Sequence, residues 1–396
     1  MNRKIFFLLL VLWGSTTAGQ LGAQTTLEGF LQRVAKESVY VEARRAEADA
    51  RVAETRANNH PENPEIEYGY MPGIEQTEAI RRSYSAIQSF DWPGAYTARR
   101  QVNRLEREQA EVDFRQERQA VLLRAKQLCY ELIYARKRQN LLDEQQARAE
   151  SVLELTLSRL ALGEATALDQ TNARIGLARI RQEQADGLRT MENLKQQLTL
   201  LAGFSDFDPS GFDYAENPLE DLNALIDQAT QADPARQSAE LASRKSEREI
   251  ALARSATLPS FSIGVAGERI SPTDSFLGIS AGVSIPLWGG SGKVKAARSQ
   301  QLAAQYRQRT VQTDTEATLR EQAGTVRRLN ESLALFDNLN EVRQGKQLLT
   351  TSLEQRQISV LEYYANLDFY TEMELEYLQL EWQLYRALAD LTRFRL

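Results

Sequence analysis

Cysteine and histidine are almost absent from this chain of 396 residues, since each occurs once, as Cys129 and His60. A single cysteine excludes an intrachain disulfide. With only one histidine as well, one chain can assemble neither a histidine-based zinc site nor a cysteine–histidine nucleophile. We expect Cys129 to be a small buried residue between apolar neighbours, and His60 to lie on a surface loop.

Other features of catalysis and ligand binding are also missing. No glycine-rich phosphate loop occurs, and the three methionines beyond residue 23, Met71, Met191 and Met373, are too few and too scattered to relay a soft metal. Acidic residues outnumber basic ones by 54 to 48, which argues against general nucleic-acid binding. The sequence therefore predicts no enzyme, no cofactor, no metal site and no nucleic-acid partner.

Long apolar runs are lacking too. Residues 1–23 have the pattern of a secretory signal peptide: basic Arg3 and Lys4, an apolar run Ile5–Trp13, then small and polar residues up to a predicted cleavage after Ala23. That run is too short to cross a bilayer as a helix, which takes about 20 residues. Beyond it no apolar run approaches about 18 residues, so no transmembrane helix is predicted.

Proline is absent from residues 94–208 and 287–396, and both stretches are rich in strong helix formers. In the first stretch apolar residues recur at alternating steps of four and three, as in a coiled coil. A helix from about Ala95 to Leu162 would be roughly 100 Å long. Such a helix does not fit a compact globule, so we expect a rod or a tube.

Four short segments alternate apolar with small or polar residues. We expect them to form two β-hairpins within 65–92 and 260–288, pairing 65–72 with 83–92 and 260–267 with 276–288. The clearest segment, LGISAGVSIPL, has one wholly apolar face. A strand that crosses an outer membrane needs about 9–11 residues with this alternation. A half-buried strand of a soluble sandwich shows the same pattern.

A tryptophan, then glycine, then a long helix follows each hairpin. Trp92 and Trp288 stand where strand meets helix, and tryptophan favours the membrane–water interface because it joins a large apolar ring to one N–H donor. We expect both to form a membrane-interface girdle, with the following glycine relaxing the turn into the helix. The alternative is that they are ordinary core residues.

The order helix, hairpin, tryptophan–glycine turn, long helix and return helix occurs twice. This predicts one repeat at 24–203, a linker at 204–219 and a second repeat at 220–396. The helical reversals match at an offset of 193 residues, which pairs Thr166 with Ser359 and Asp169 with Glu362.

The segments QSFDWPGAYTARR, LPSFSIG, GISAGVSIPLWGG and RLALGEATALD resemble those of the TolC-type outer-membrane factor family. The resemblance extends over nearly the whole chain beyond residue 23. The FDWPG form is most similar to members that work with heavy-metal-exporting resistance–nodulation–division (RND) pumps.

The resemblance implies a mainly helical fold with a small β part. Two repeats of long coiled-coil-like helices plus a hairpin would form a homotrimer, in which a tube of helices joins a twelve-stranded transmembrane β-barrel with four strands from each chain. Four strands alone leave two open edges, which lipid does not tolerate.

The resemblance also implies roles for the helical reversals, which in the family meet a periplasmic adaptor and close the pore. The residues at the matching tip positions are Arg159, Gly163, Thr166, Arg356 and Ser359. Glu362 and Asp169 are the candidates for an acidic ring at the pore gate, while Ala365 stands where some relatives have a second acid. The alternative is that both acids are solvated charges on helices.

The implied function is a passive exit duct in the outer membrane, with its helices in the periplasm, serving an adaptor and an inner-membrane pump of RND type. Glu65 and Glu67, if they face the lumen, bias the duct toward cations. One alternative is a soluble periplasmic coiled-coil scaffold or adaptor without a pore. Another is a duct for type I polypeptide secretion.

Overall fold

The computed structural model describes residues 26–72, 80–214, 221–270, 274–288, 290–336 and 339–396. The predicted signal peptide lies outside these residues. In chain order the elements are α1 Leu27–Glu37, α2 Val39–Ala57, β1 Glu65–Pro72, β2 Ile80–Phe90, α3 Pro93–Ala161, α4 Ala167–Ala202, α5 Leu222–Ala232, α6 Pro234–Ser255, β3 Ser260–Ile270, β4 Asp274–Ser284, α7 Gly290–Ala334, α8 Leu339–Glu354 and α9 Val360–Leu391.

The longest element is α3, whose 69 residues make a helix of about 100 Å. Pro93 stands at its first turn, where the missing N–H is no loss. Most positions of the predicted four-and-three repeat lie on the buried side of this helix. The buried ones are Ala125, Leu128, Leu132, Gln139, Leu142, Ala149 and Thr156. Against this helix pack α2, α4, α6 and α9, so the chain is a long bundle rather than a globule.

The helices contain more breaks than the proline-free stretches of the sequence predict. In the second proline-free stretch α7 ends at Ala334 and a new helix, α8, begins at Leu339. The helix before each hairpin is also split. Ser38 separates α1 from α2, and its hydroxyl donates to the Leu201 carbonyl at 2.7 Å. Asp233 separates α5 from α6 because Pro234 disfavours helical geometry in the residue before it.

All four strands belong to one antiparallel sheet in the order β1-β2-β3-β4, because β2 pairs with β3 as well as with its own hairpin partner. β2 extends back to Ile80, opposite Pro72 of β1, and β3 extends to Ile270, opposite Arg81 of β2. Both ends lie beyond the predicted ones, where arginines interrupt the apolar alternation. The predicted last strand is shorter than expected. It ends at Ser284, before Pro286, which has no N–H to donate to a neighbour.

The largest hydrophobic core lies beside the middle of α3, where α1, α4 and residues 204–214 converge. Phe30 and Phe212 are completely buried there, with ring centroids 5.3 Å apart. The Arg136 guanidinium donates to three carbonyl oxygens of residues 209–212, so this part of the predicted linker is held against the bundle. Cys129 is fully buried in the same core, as expected from its apolar neighbours.

Candidate functional site

The sheet has two chemically different faces, because residues that pair across antiparallel strands project from the same side. One row of paired residues consists of Ile66, Ala86, Val265 and Ile279, and the adjoining row on the other side consists of Glu67, Ser85, Ala266 and Gly278.

We call the first side the apolar face. Its apolar members are Ile66, Tyr68, Tyr70, Tyr84, Ala86, Phe90, Phe261, Ile263, Val265, Leu277, Ile279, Ala281 and Val283. We call the second side the small-residue face. Its small and acidic members are Glu65, Glu67, Gly69, Ser83, Ser85, Ser89, Ser260, Ser262, Gly264, Ala266, Glu268, Asp274, Gly278, Ser280, Gly282 and Ser284.

The other residues that the structure describes leave the apolar face uncovered. Ile66 is 81% exposed, Leu277 79% and Ile279 83%, and every strand contributes exposed large apolar side chains. A contiguous apolar surface of this kind on a folded chain marks a contact with lipid or with another protein. A soluble sandwich would bury such a face against a second layer.

Both outer strands of the sheet are open. Within the part of the chain that the structure describes, β1 pairs with β2 alone and β4 with β3 alone. Each outer strand therefore presents a row of backbone N–H and C=O groups that can pair with another strand.

The small-residue face carries the predicted acids. Glu65 and Glu67 are exposed there at the end of β1 nearest the helices. At the opposite end of the same face Arg81 donates to Glu268, with Nη2 and Oε2 2.9 Å apart. The two predicted lumen acids thus share a face with serines and glycines, and the large apolar side chains on that face are Met71, Ile87, Ile270 and Phe276.

Both tryptophans lie where strand meets helix. Trp92 is the N-cap of α3, and its ring centroid is 5.8 Å from that of Phe261 on the apolar face. Trp288 follows β4 and is 87% exposed. Gly94, in the first turn of α3, has no left-handed backbone conformation. What matters there is the missing side chain, because a Cβ would lie 3.2 Å from Cδ1 of the Trp92 ring.

The first helical reversal joins α3 to α4. Gly163 adopts the left-handed conformation, with φ of 75°, and the Glu164 N–H donates to the Arg159 carbonyl at 2.8 Å. This closes the end of α3 as a Schellman motif. Thr166 then starts α4 with a capping box: the Asp169 N–H donates to Thr166 Oγ1 at 3.1 Å, and the Thr166 N–H donates to Asp169 Oδ2 at 2.9 Å.

The second reversal, between α8 and α9, repeats this local structure. Arg356 takes the left-handed position with φ of 62°, and the Gln357 N–H donates to the Ser352 carbonyl at 2.9 Å. Ser359 and Glu362 form the capping box, with distances of 3.2 Å and 2.8 Å for the two reciprocal bonds. The offset of 193 residues therefore relates backbone conformations as well as residues.

Direct contacts join the two reversals. The Arg356 guanidinium pairs with the Glu164 carboxylate. Arg159 donates from Nη2 to the carbonyl oxygens of Leu353 at 3.0 Å and Glu354 at 2.8 Å, at the C-terminus of α8, where a cation is favourable. The structure thus brings all five predicted tip residues to one end of the bundle.

Asp169 and Glu362, the predicted gate acids, both lie at that end, where Glu362 is exposed and Asp169 is half-buried. Hydrogen bonds from the Thr166 hydroxyl and backbone lower the pKa of the Asp169 carboxyl, and those from the Ser359 backbone and hydroxyl lower the pKa of Glu362. Both acids are therefore ionised helix caps. This capping role was not predicted for either acid, although the spacings Thr-x-x-Asp and Ser-x-x-Glu indicate it.

Neither metal-binding clusters of side chains nor membrane-spanning helices occur in the described ranges. These ranges contain no cluster of three or more histidine, cysteine, aspartate and glutamate side chains that could hold a metal ion. None of the helices described is long and apolar enough to cross a membrane. His60 is exposed after α2, and burial raises the pKa of the Cys129 thiol.

No protein-family model matches the sequence, and no curated protein matches it. Solved structures do match the fold. A membrane protein from Pseudomonas aeruginosa is 20% identical, with a TM-score of 0.72 and coverage of 93% of both chains. The channel-forming protein CusC is 15% identical at a TM-score of 0.71, covering 94% of this chain and 92% of its own.

The open-state outer-membrane channel MtrE from Neisseria gonorrhoeae is 12% identical at a TM-score of 0.73, covering 93% of this chain and 88% of its own. Long helices and a small four-stranded sheet, as predicted, are thus arranged in the same way in this chain and in these proteins. The chain has the fold of outer-membrane channel proteins.

Proposed function

We propose that this protein is the outer-membrane channel of a tripartite efflux system, a passive exit duct for substrates that an inner-membrane pump delivers through a periplasmic adaptor. The exposed apolar face of the four-stranded sheet carries this proposal. The strands have 8 to 11 residues, and β1, β3 and β4 alternate over most of their length, whereas β2 is less regular; strands of this length and pattern suit an outer membrane. Trp92 and Trp288 stand at the end of the sheet where the helices begin, as a membrane-interface girdle would.

The active form in this proposal is a homotrimer. One chain supplies four strands with two open edges, and transmembrane barrels of one chain have at least 8 strands. Pairing β4 of one copy with β1 of the next closes a ring, and the resemblance to the TolC-type family sets the number of copies at three. The apolar face would then lie against lipid and the small-residue face would line the lumen.

The helical end of the chain is the proposed contact with the adaptor. Exposed leucines surround the two joined reversals: Leu162, Leu168 and Leu361 are all more than 60% exposed. Leu168 and Leu361 are related by the same offset of 193 residues. Apolar side chains at matching positions of both reversals offer a repeated surface to a partner helix, and the FDWPG resemblance favours an adaptor of an RND pump.

Cations, metal ions included, are the proposed cargo. The small-residue face carries Glu65, Glu67, Glu268 and Asp274 against Arg81 alone, so the lumen would be acidic in each of three copies. We predict a weak preference for cations at low salt in planar-bilayer recordings. The Glu65→Gln/Glu67→Gln variant should lower this preference, and an anion preference of the wild-type channel would contradict the prediction.

The test of the proposed function is the mass of the protein extracted in detergent from a purified outer-membrane fraction, measured by light scattering corrected for detergent. We expect three times the mass of the chain that remains after signal-peptide removal. A monomer, or a protein that carbonate washes from membranes, would instead support a soluble periplasmic scaffold.

A further inference from the structure

Two arginines lie side by side on the apolar face, near the end of the sheet that is farthest from the helices. Arg82 of β2 is directly opposite Arg269 of β3, and the same row contains Tyr70 of β1 and Ser275 of β4. Both arginines are exposed. They are the charged residues of a face that is otherwise apolar and aromatic apart from a few small polar side chains.

Within the described ranges neither arginine is neutralised by a carboxylate. Arg82 lies over the Tyr70 ring, 6.0 Å from its centroid. The small-residue face contrasts with this, because there Arg81 forms an ion pair with Glu268 from the adjoining row. Like charges directly opposite each other destabilise a sheet. The two like charges at paired positions therefore favour a bound anion beside Arg82 and Arg269.

The position of the pair along the strands is also informative. Arg82 is eight residues from Phe90, and Arg269 is eight residues from Phe261, the ring against which Trp92 packs. Eight residues span about 27 Å of strand, which is about 20 Å of height at the tilt of about 40° found in membrane barrels. Since Trp92 follows Phe90 by two residues, the tryptophan and arginine levels are about 20 to 25 Å apart. This separation matches the outward-facing apolar band of outer-membrane barrels, which is about 25 Å tall.

We propose that Arg82 and Arg269 bind the phosphate of an outer-leaflet lipid headgroup. The inference rests on the proposed function, since it places the apolar face in a bilayer. Guanidinium groups match phosphate oxygens in a bidentate manner, and basic pockets at membrane boundaries bind lipid headgroups. Tyr70 flanks the site with a ring suited to the headgroup level. A trimer would carry three such sites on its outer surface.

The experiment measures lipid binding to the delipidated trimer by native mass spectrometry. Wild type, Arg82→Gln/Arg269→Gln and Arg81→Gln are each titrated with diphosphorylated lipid A in mixed micelles. Arg81→Gln is the matched control because it removes a guanidinium at the same height on the opposite face. We expect the double variant to bind at least about tenfold more weakly, and the control to bind as the wild type does.

Two further probes distinguish the source of the phosphate. Dephosphorylated lipid A should bind the wild type about as weakly as lipid A binds the double variant, and inorganic phosphate should not displace lipid A at equal concentration. Displacement by inorganic phosphate, equal lipid binding by wild type and double variant, or an equal loss in Arg81→Gln would each overturn the inference. If the wild-type protein is not a membrane trimer by light scattering, the proposed function fails; an intact trimer with unchanged lipid binding refutes this inference alone.

Discussion

Gly163 and Arg356 occupy the same left-handed backbone position in two reversals 193 residues apart. Glycine adopts this conformation without strain, whereas a residue with a side chain loses about 1–2 kcal/mol. The Arg356 guanidinium pairs with Glu164 of the other reversal. The strained residue of the tip is therefore also the residue that ties the two reversals together.

The Gly163→Ala variant tests only the free-energy cost of placing a residue with a side chain in the left-handed conformation. A Cβ at Gly163 meets no atom within 4 Å, so the variant should destabilise the end of α3 by about 1–2 kcal/mol through its left-handed conformation. Hydrogen exchange of the amides around residues 159–169 measures this. Gly324→Ala is the control, since it lies inside α7 without a left-handed conformation and should be neutral or stabilising by up to about 1 kcal/mol. Equal protection in the Gly163→Ala protein and the wild type would contradict the assignment.

The capping carboxylates predict how the tip responds to acid. Native-state hydrogen bonds hold the pKa of Asp169 below its usual 3.8 and that of Glu362 below its usual 4.5. Their stabilisation is therefore complete above those values and is lost as the pH falls through the lower native-state pKa of each.

The measurement is amide exchange at the first turns of α4 and α9 between pH 5 and pH 3, corrected for the intrinsic rate. Protection should decrease toward pH 3 in both turns. Asp169→Asn should weaken the pH dependence in α4 and leave that of α9 unchanged, and Glu362→Gln should do the reverse. A response that stays the same in both variants would show that other groups control the tip.

At the scale of elements, α8 and α9 are held together by a buried ion pair. The side chains of Lys346 and Glu374 are 3% and 16% exposed. Burial lowers the pKa of the Lys346 ammonium, and the Glu374 carboxylate opposes that effect. Such a pair adds little stability over an apolar contact, but removing one partner leaves a buried charge without compensation.

We therefore expect Glu374→Met to destabilise the α8–α9 contact by about 3–5 kcal/mol, and Lys346→Met/Glu374→Met to recover most of that loss. The opening free energies of α8 and α9 from hydrogen exchange give the double-mutant cycle. Glu108→Gln removes a carboxylate from the exposed Arg104–Glu108 pair of α3 and should change stability by less than about 1 kcal/mol. If the single and double variants are equally unstable, the buried charge is not the cause.

For the whole molecule, the question is what covers the apolar face. Ile279 and Ser280 are adjacent residues in the middle of β4, both exposed in the chain and on opposite faces of the sheet. In a soluble scaffold an arginine would be tolerated at either position. In a membrane barrel an arginine on the lipid face near the midplane costs about 2–4 kcal/mol in each copy.

Ile279→Arg should therefore reduce the fraction of protein that stays in membranes after carbonate washing, while Ser280→Arg should leave it close to the wild-type value. Light scattering of the extracted protein shows whether each variant still forms a trimer. Similar membrane retention of the two variants would argue that the apolar face does not contact lipid.

Local sequence determined the parts of this protein whose physical causes are local. The absence of proline together with strong helix formers predicts the long helix α3, and the alternation of Leu277 through Val283 with small residues predicts a strand with one apolar and one small, polar face. The capping boxes at Thr166 and Ser359 also belong to this group, because each depends on two residues three positions apart. Their spacing indicates them, although they were not predicted. Composition limits the chemistry in the same way, since one histidine and one cysteine cannot supply a paired site within a chain, whatever its fold.

Only the tertiary structure decided the contacts between distant residues. The pairing of β2 with β3 joins two hairpins into one sheet and places Arg82 beside Arg269, 187 residues away in the chain. The same holds for Glu164 with Arg356 and for the burial of Lys346, which on sequence alone is one more charged helix residue. Periodicity within a segment indicates which side chains share a face, but it does not indicate which other segment packs against that face. Register and ion pairing across the fold arise from packing, which short stretches of sequence do not encode.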